Sequence, residues 1–138
     1  MAEAPLEFFA IEFHDSTVSD IRAERGRLTI HLAPAILHRS IGQPGEELGD
    51  CWAQNGVLIL PDGALRGVAP PLPCQLWDGS ATLDGRAFVN VVPLNLPSRV
   101  TCIVLKFADG RTVEIQARGF EYKPLGDPEF LDSFPGDY

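Results

Sequence analysis

The sequence predicts an all-β protein: an antiparallel sandwich or partly open barrel of about eight to ten strands, with little helix. Short apolar runs alternate with polar residues at a period of two, which is the spacing of a strand with one buried face. Thirteen glycines and twelve prolines separate those runs, as in strands joined by tight turns. The 138 residues fit a single domain over 1–138, with fraying expected at 1–5 and 136–138.

The first part of the chain predicts a hairpin. Residues 6–13 are apolar and short, a pattern that fits either a strand or one turn of helix. Residues 17–25 and 27–32 predict two strands that turn at Gly26. The apolar face of the second strand consists of Leu28, Ile30 and Leu32. The apolar residues of the first strand are out of phase, which indicates a β-bulge.

Residues 34–50 are the least regular stretch. Two prolines and three glycines among these residues exclude a long helix. We therefore expect a long loop. Long ordered loops are more often functional than short ones, so this stretch is the first place to look for a site.

The middle of the chain predicts a strand over residues 51–60. A hairpin that turns at Asn55-Gly56 is the alternative. We prefer the continuous strand because residues 61–63, Pro-Asp-Gly, form a complete turn immediately after it. Residues 64–68 should then return alongside.

Two further hairpins are predicted, over residues 80–89 and 99–120. Each has an Asp-Gly turn, which tolerates the positive φ values of a tight turn. The apolar faces of the second hairpin are Ile103, Leu105 and Phe107 on one strand and Val113, Ile115 and Ala117 on the other. We expect these faces at the centre of the core. The tail should add an edge strand that packs through Phe130, Leu131 and Phe134.

The charge balance limits the classes of partner. Lysine and arginine number 11 and aspartate and glutamate 19, so the net charge is −8. An acidic chain without a basic cluster repels phosphate backbones, so we expect no nucleic-acid partner. An acidic surface can attract a basic protein partner, although such a composition is ordinary in itself. No apolar run approaches the ~20 residues of a membrane span, so we expect no membrane association. The oligomeric state stays open.

The cysteines indicate a reducing compartment. Cys51, Cys74 and Cys102 have spacings that match no metal or redox motif. An odd, scattered set is typical of free thiols. The N-terminus lacks the basic and apolar regions of a signal peptide, so we expect a cytoplasmic protein.

Four residues are candidates for ligand binding: His14, Asp15, His38 and Arg39. Imidazole and carboxylate groups suit zinc or iron, but no two of these residues are spaced to share one face of an element. We therefore expect no metal and no cofactor. Serines lie near both histidines, but the chain has no Gly-x-Ser-x-Gly elbow, so no catalytic residue is assigned. Arg39 could recognise an anion, or it could tie the loop to Glu46 or Glu47.

Both tryptophans, Trp52 and Trp77, are flanked by strand-like sequence. Aromatic side chains in small β proteins are mostly core residues, so we expect both to be buried. A carbohydrate platform would instead place them outward.

Several short motifs together resemble a family of small bacterial β proteins of uncharacterised function. The motifs are Phe13-His14-Asp15-Ser16, His38-Arg39-Ser40-Ile41-Gly42-Gln43-Pro44-Gly45, Trp52-Ala53-Gln54, Asn90-Val91-Val92-Pro93-Leu94 and Phe107-Ala108-Asp109-Gly110. They span about residues 13–134 and are more specific as a set than singly. The resemblance implies no catalytic role. A Phe-His-Asp start is also loosely similar to immunity proteins of toxin systems, an analogy that does not establish function.

The expected function is that of a non-enzymatic binding protein, of the immunity type, that neutralises a basic partner. A second hypothesis is a small-molecule or anion-binding domain with a pocket at His14, Asp15, His38 and Arg39. A third is a hydrolase or metal-dependent enzyme that uses His14, Asp15 and His38, which would have to lie within hydrogen-bond reach of one another.

Overall fold

A computed structural model describes residues 10–40, 49–94 and 96–134 and confirms the all-β prediction. Within these residues the chain forms twelve strands and no helix. The strands are β1 (Ala10–Glu12), β2 (Thr17–Glu24), β3 (Arg27–Ser40), β4 (Gly49–Pro61), β5 (Ala64–Arg66), β6 (Cys74–Leu83), β7 (Arg86–Val89), β8 (Val91–Pro93), β9 (Thr101–Phe107), β10 (Thr112–Ala117), β11 (Glu121–Pro124) and β12 (Glu129–Phe134). The count exceeds the expected number because three of the strands are only three residues long. No helix of membrane-spanning length and apolarity occurs in the described part of the chain.

The strands form two layers that are joined at β6. Sheet A consists of β1, β2, β3, β4, β8, β11 and β12. Sheet B has the strand order β7-β6-β9-β10-β5. The first residues of β6 pair with β2, while the rest of β6 pairs with β7 and β9. The path β11-β4-β3-β2-β6-β9-β10-β5 does not close on itself, so the architecture is an open, sandwich-like one.

The two longest strands, β3 and β4, form the spine of sheet A. The first half of β3 pairs with β2 and its second half pairs with β1. In the same way, β4 pairs with β12 at its start and with β11 at its end. A bulge between Leu32 and Ala35 separates the two halves of β3. Pro34 lies in this bulge, where its missing N–H costs no ladder hydrogen bond.

The inward faces of both sheets pack into one apolar cluster. The 99–120 hairpin lies at its centre as predicted: Ile103 pairs with Ile115, Leu105 pairs with Val113, and all four side chains are buried. Each fully buried aliphatic side chain of this kind stabilises the fold by about 1.5–3 kcal/mol. The Leu28/Ile30/Leu32 face is buried as well. The pairing of β2 with β3 confirms the first hairpin, with a bulge between Val18 and Asp20.

The prediction of a long loop over residues 34–50 is wrong at both ends. The chain continues as strand β3 to Ser40 and enters β4 at Gly49, while residues 41–48 lie outside the described residues. The two prolines exclude a helix, but a proline at a bulge is compatible with an extended strand. Likewise, Ala64–Arg66 does not return along β4. It crosses to sheet B and pairs with β10.

The outward faces of the two sheets differ in burial. On sheet A, several outward side chains are themselves buried: Thr29, Ile36, His38 and Val57. On sheet B, every outward side chain of β5, β6, β7, β9 and β10 retains exposure. We call this outward side of sheet B the open face.

Candidate functional site

The His14-Asp15 pair forms the turn between β1 and β2, and this turn is fastened to β6. Asp15 has a φ of 70°, a conformation that aspartate adopts more readily than most residues. The Asp15 amide donates to the Leu76 carbonyl at 3.2 Å, and the Leu76 amide donates to the Ser16 carbonyl at 2.8 Å. The Asp15 carboxylate also accepts a hydrogen bond from the Gln75 side chain at 2.8 Å. The turn is therefore held in place by sheet B.

The His14 imidazole completes this attachment. Its Nδ1 lies 2.6 Å from the carbonyl oxygen of Trp77, which can only accept, so Nδ1 carries the hydrogen. Its Nε2 lies 3.5 Å from Asp15 Oδ1. The bond to the Trp77 carbonyl raises the pKa of His14, and the charges of Asp15, Glu12 and Asp78 raise it further against a smaller opposing effect of burial. The protonated imidazole therefore holds the β1–β2 turn to β6 more strongly than the neutral one does.

Asn90 closes the other side of the turn. Its φ is 66°, its side-chain oxygen accepts from the His14 amide at 2.8 Å, and its carbonyl accepts from the Phe13 amide at 2.8 Å. Its own amide donates to the Gly79 carbonyl at 2.8 Å. A Cβ at position 79 would lie 2.6 Å from Cδ2 of Phe13, so the glycine is what allows the Phe13 ring to pack on β6.

His38 lies on β3, on the face of sheet A that points away from the core cluster, and its side chain is buried. Its Nε2 lies 2.9 Å from Oε1 of Glu12. The cross-strand partner of His38 on β1 is Ala10, and Glu12 is two residues further along that strand. The side chain of Glu12 is itself mostly buried. This contact gives the buried Nε2 atom of His38 and the carboxylate of Glu12 a hydrogen-bond partner each, as buried polar groups require.

Arg39, the next residue of β3, points to the opposite face and forms a forked ion pair. Its Nε and Nη2 bond the two Asp50 oxygens at 3.1 and 2.6 Å. Trp52 Nε1 donates to Asp50 Oδ1 at 2.7 Å, and the Arg39 guanidinium lies 5.6 Å from the Trp52 ring centroid. Burial tends to raise the pKa of Asp50, but the hydrogen bonds from Arg39 and Trp52 outweigh it and hold that pKa below its usual value. Glu46 and Glu47, the predicted partners of Arg39, lie outside the described residues.

The four candidate residues therefore occupy three separate places. His14 and Asp15 contact each other beside Trp77, His38 contacts Glu12, and Arg39 contacts Asp50. Over residues 10–40, 49–94 and 96–134, no three histidine, cysteine, aspartate or glutamate side chains converge in a way that could hold a metal ion. The ligand-binding role of the four residues stays a prediction.

Cys51 does not have the character of a catalytic thiol. Burial raises its pKa to about 11, and the neighbouring carboxylates of Glu12, Asp132 and Asp50 act in the same direction. Since the thiolate is the nucleophilic form, a thiol with a pKa raised in this way is a poor nucleophile at neutral pH. All three cysteines are free and partly exposed.

The sequence analysis expected Trp77 to be buried, and this expectation is wrong. Trp52 is only partly buried, and the tail residues Phe130 and Leu131 are 52% and 48% exposed. Trp77 is the extra residue of a β-bulge between Leu76, which pairs with Phe107, and Asp78, which pairs with Lys106. The bulge turns the indole outward, and Trp77 is 60% exposed. The His14 ring meets it edge-on, with ring centroids 5.8 Å apart at 85°. We call Trp77, His14, Asp15 and Asp78 the Trp77 corner.

A signal for this bulge is present in the sequence but is easily overlooked. Leu76 is buried, and so are Gly79, Ala81 and Leu83 farther along β6. The interval of three between Leu76 and Gly79 breaks the period of two, which is what one extra residue in a strand does. This break can be recognised only if Cys74–Leu83 is first assigned as one continuous strand.

Comparisons with known proteins identify no relative. No protein-family model matches the chain, no curated protein matches it, and no solved structure matches it.

Proposed function

We propose that this chain is a non-enzymatic binding protein that recognises a basic protein partner, in the manner of an immunity protein, and that the Trp77 corner holds that partner. The observation that carries the proposal is the 60% exposure of Trp77. Its backbone is held by hydrogen bonds of its own carbonyl to His14 and of the preceding residue, Leu76, to the β1–β2 turn. Tryptophan is among the residues most enriched at binding hot spots. As part of the proposal the chain acts in the cytoplasm, in agreement with its three free cysteines.

The position of Trp77 is preorganised. Its carbonyl is bonded to His14, and the residue before it is bonded in both directions to the β1–β2 turn. A side chain held in its binding position before the partner arrives loses less conformational entropy on association. A bulge is also a common means of re-aiming a side chain at a functional surface.

The charges around Trp77 favour a cationic partner group. The carboxylates of Asp15 and Asp78 are close enough to raise the pKa of His14, so they flank the same corner as the indole. The face of an indole ring attracts ammonium and guanidinium groups, and tryptophan is the best aromatic residue in this respect. A lysine or arginine of the partner would stack on Trp77 and pair with these carboxylates, while the net charge of −8 would accelerate the encounter.

The proposal can be tested with an arginine-rich peptide as the probe and a glutamate-rich peptide of equal length as its control. The Trp52→Phe variant leaves Trp77 as the only tryptophan, since the chain has two. We expect its fluorescence to change saturably with the arginine-rich peptide alone, with an affinity that falls as salt rises.

Matched variants separate the corner from the overall charge. Asp15→Asn and Asp78→Asn should each weaken peptide binding by up to about fivefold, as for a charge pair near a surface. Glu121→Gln and Glu129→Gln remove the same charge from exposed positions on β11 and β12 and should have little effect. Equal losses in both sets, or unchanged affinity in Trp77→Ala measured by calorimetry, would overturn the proposal.

A further inference from the structure

Strand β7 lies at the edge of sheet B, and one side of its backbone is unpaired. Among the described residues, β7 pairs with β6 and with no other strand. The amide of Asn90, the residue after β7, donates to the Gly79 carbonyl of β6. Because backbone groups alternate in direction along a strand, those of Phe88 also point toward β6, while the N–H and C=O groups of Ala87 and Val89 point away from the sheet. We call this outward row of backbone groups the β7 edge.

The β7 edge lacks the features that protect the other strand edges. Natural sheets block unwanted pairing with prolines, bulges, charged residues or very short strands. In the described part of the chain, β8 and β11 each contain a proline, β12 contains a bulge and two acidic residues, and β5 has only three residues. The part of β2 beyond its pairing with β6 carries three charged residues. By contrast, β7 has neither a proline nor a bulge, its one charged residue is its first, and Val89 is 72% exposed.

The end of the β7 edge adjoins the Trp77 corner. Asn90 follows Val89 directly, and its side chain accepts a hydrogen bond from the His14 amide at 2.8 Å. Gly79, which the Asn90 amide contacts, is two residues from Trp77 on β6, or ~7 Å along a strand. A chain paired with β7 would lie only ~4.8 Å from it. An outward arginine near the end of such a chain is therefore placed to reach the indole and the carboxylates of the corner.

We propose that the partner contributes an extended segment that pairs with the β7 edge as an additional antiparallel strand and places a cationic side chain at the Trp77 corner. The inference rests on the proposed function, since the corner supplies the site for the cation, and it adds the conformation of the bound segment. Ala87 and Val89 each present one donor and one acceptor. An extended chain matches them with regular hydrogen bonds, as do peptides that add a strand to a sheet edge.

The side chains of β7 set the preferred sequence of the segment. Phe88 points inward and packs against the core while it remains partly exposed, so the partner residue opposite it should be apolar. Ala87 and Val89 point to the open face, and the residues opposite them should be polar. Since β7 runs toward the corner, the cationic residue of an antiparallel segment comes two residues before the one opposite Val89.

The peptide acetyl-Arg-Val-Thr-Val-Thr-Thr-amide has this pattern, with its first two threonines opposite Val89 and Ala87. N-methylation of these two threonines removes the amide hydrogens that would bond the β7 edge, whereas N-methylation of the valine between them removes one that points away. We expect the threonine-methylated peptide to bind the full chain at least about tenfold more weakly than the unmodified one, because two backbone hydrogen bonds are lost. The valine-methylated peptide should bind within about twofold. Amide NMR titrations measure all three affinities, and the Ala87 and Val89 signals should shift most.

A pair of substitutions tests the same bonds from the side of the protein. Val89→Pro removes an outward N–H and leaves the bonds between β7 and β6 in place, so circular dichroism should show a folded chain. It should bind the unmodified peptide about fivefold more weakly, since one backbone hydrogen bond is lost. Val89→Thr keeps the amide and should bind as the natural chain does. Equal losses in both variants would mean that the valine side chain, and not the edge, contacts the peptide.

The outcomes distinguish this inference from the proposed function. Equal affinity for the two methylated peptides, with binding lost in Trp77→Ala, would retain the corner and exclude strand pairing. Sensitivity to threonine methylation at full affinity in Trp77→Ala would support strand pairing and contradict the proposed role of the corner. Absence of binding by any of the peptides at millimolar concentration would overturn the inference.

Discussion

Sheets A and B bury their inward faces in one core, but their outward faces differ. Sheet A also buries outward side chains, among them Val57 and His38, whereas sheet B buries none of its own among the described residues. The buried outward side chains of sheet A therefore contribute to folding as its inward side chains do. The outward residues of sheet B can change at little cost to the fold.

The same difference explains the polar residues that drew attention in the sequence. His38 and Arg39 lie in sheet A, and each is engaged by a carboxylate of a neighbouring strand. His14 and Asp15 hold the β1–β2 turn of sheet A against β6. All four have a part in the fold, while Trp77, which no contact in the core explains, projects from the end of the open face.

The largest expected effect compares the two sides of one strand. Leu105→Asp should prevent folding, because the lost packing costs about 2–5 kcal/mol and the buried carboxylate adds several more, against a total stability of about 5–15 kcal/mol. Val104→Asp, one residue away on the open face, should still fold. Circular dichroism and urea denaturation of both variants test this. A cooperatively unfolding Leu105→Asp would show that the inward face of β9 is misassigned.

The next effect compares the outward faces with a single type of substitution. Val57 is 5% exposed on sheet A, and Val89 is 72% exposed on sheet B. Val57→Ala should lower the free energy of unfolding by about 1–3 kcal/mol, and Val89→Ala should change it by less than about 0.5 kcal/mol. Equal losses of stability in the two urea titrations would contradict the difference in burial between the two faces.

A smaller effect tests the Asp50 ion pair of sheet A by pH. The pKa of Asp50 is lower in the folded chain than in the unfolded one, so its contribution is complete above the unfolded value of about 3.9 and is lost as the pH falls through the folded value. Asp50→Asn should cost about 1–3 kcal/mol at pH 7 and clearly less near pH 3. Asp132→Asn, on the exposed strand β12, is the control. An Asp50→Asn deficit that is the same at both pH values would argue against the ion pair.

The smallest effect concerns the hydrogen bond between the His14 imidazole and the Trp77 carbonyl. The pKa of His14 is raised in the fold, so its contribution is complete below the unfolded value of about 6.5 and is lost as the pH rises through the folded value. The side chain is 43% exposed, and solvent screening limits the effect to about a few tenths of a kcal/mol. The melting temperature should fall slightly more between pH 5.5 and 8.5 in the natural chain than in His14→Gln. His31→Gln serves as the control. A His14 pKa at or below 6.5 by NMR would contradict the stabilising role of the hydrogen bond to Trp77.

The hairpins were predictable from the sequence because their signals are local. A period of two and an Asp-Gly turn identified the hairpins over 80–89 and 99–120, and the out-of-phase residues near Val18 indicated the bulge in β2. Each of these features depends on residues that are close in the chain, so no knowledge of the rest of the fold was needed.

The candidate site was less predictable because it depends on long-range pairing. Composition suggested a loop over residues 34–50, but pairing with β1 and β4 extends β3 to Ser40. Residue types singled out His14 and His38 together, yet the strand order fastens one to sheet B and the other to Glu12. Tryptophan is usually a core residue in small β proteins, and Trp77 is exposed only because of the register shift between β6 and β9.

Local sequence patterns are enough to predict the all-β class, the hairpins and the apolar faces that form the core, since the alternation of side chains along a strand is a property of the backbone. Long-range pairing is needed to know which sheet buries outward side chains, where β5 pairs, and that Trp77 points away from the core. Those outcomes follow from register and from bulges, because one extra residue in a strand reverses the face on which every later side chain lies.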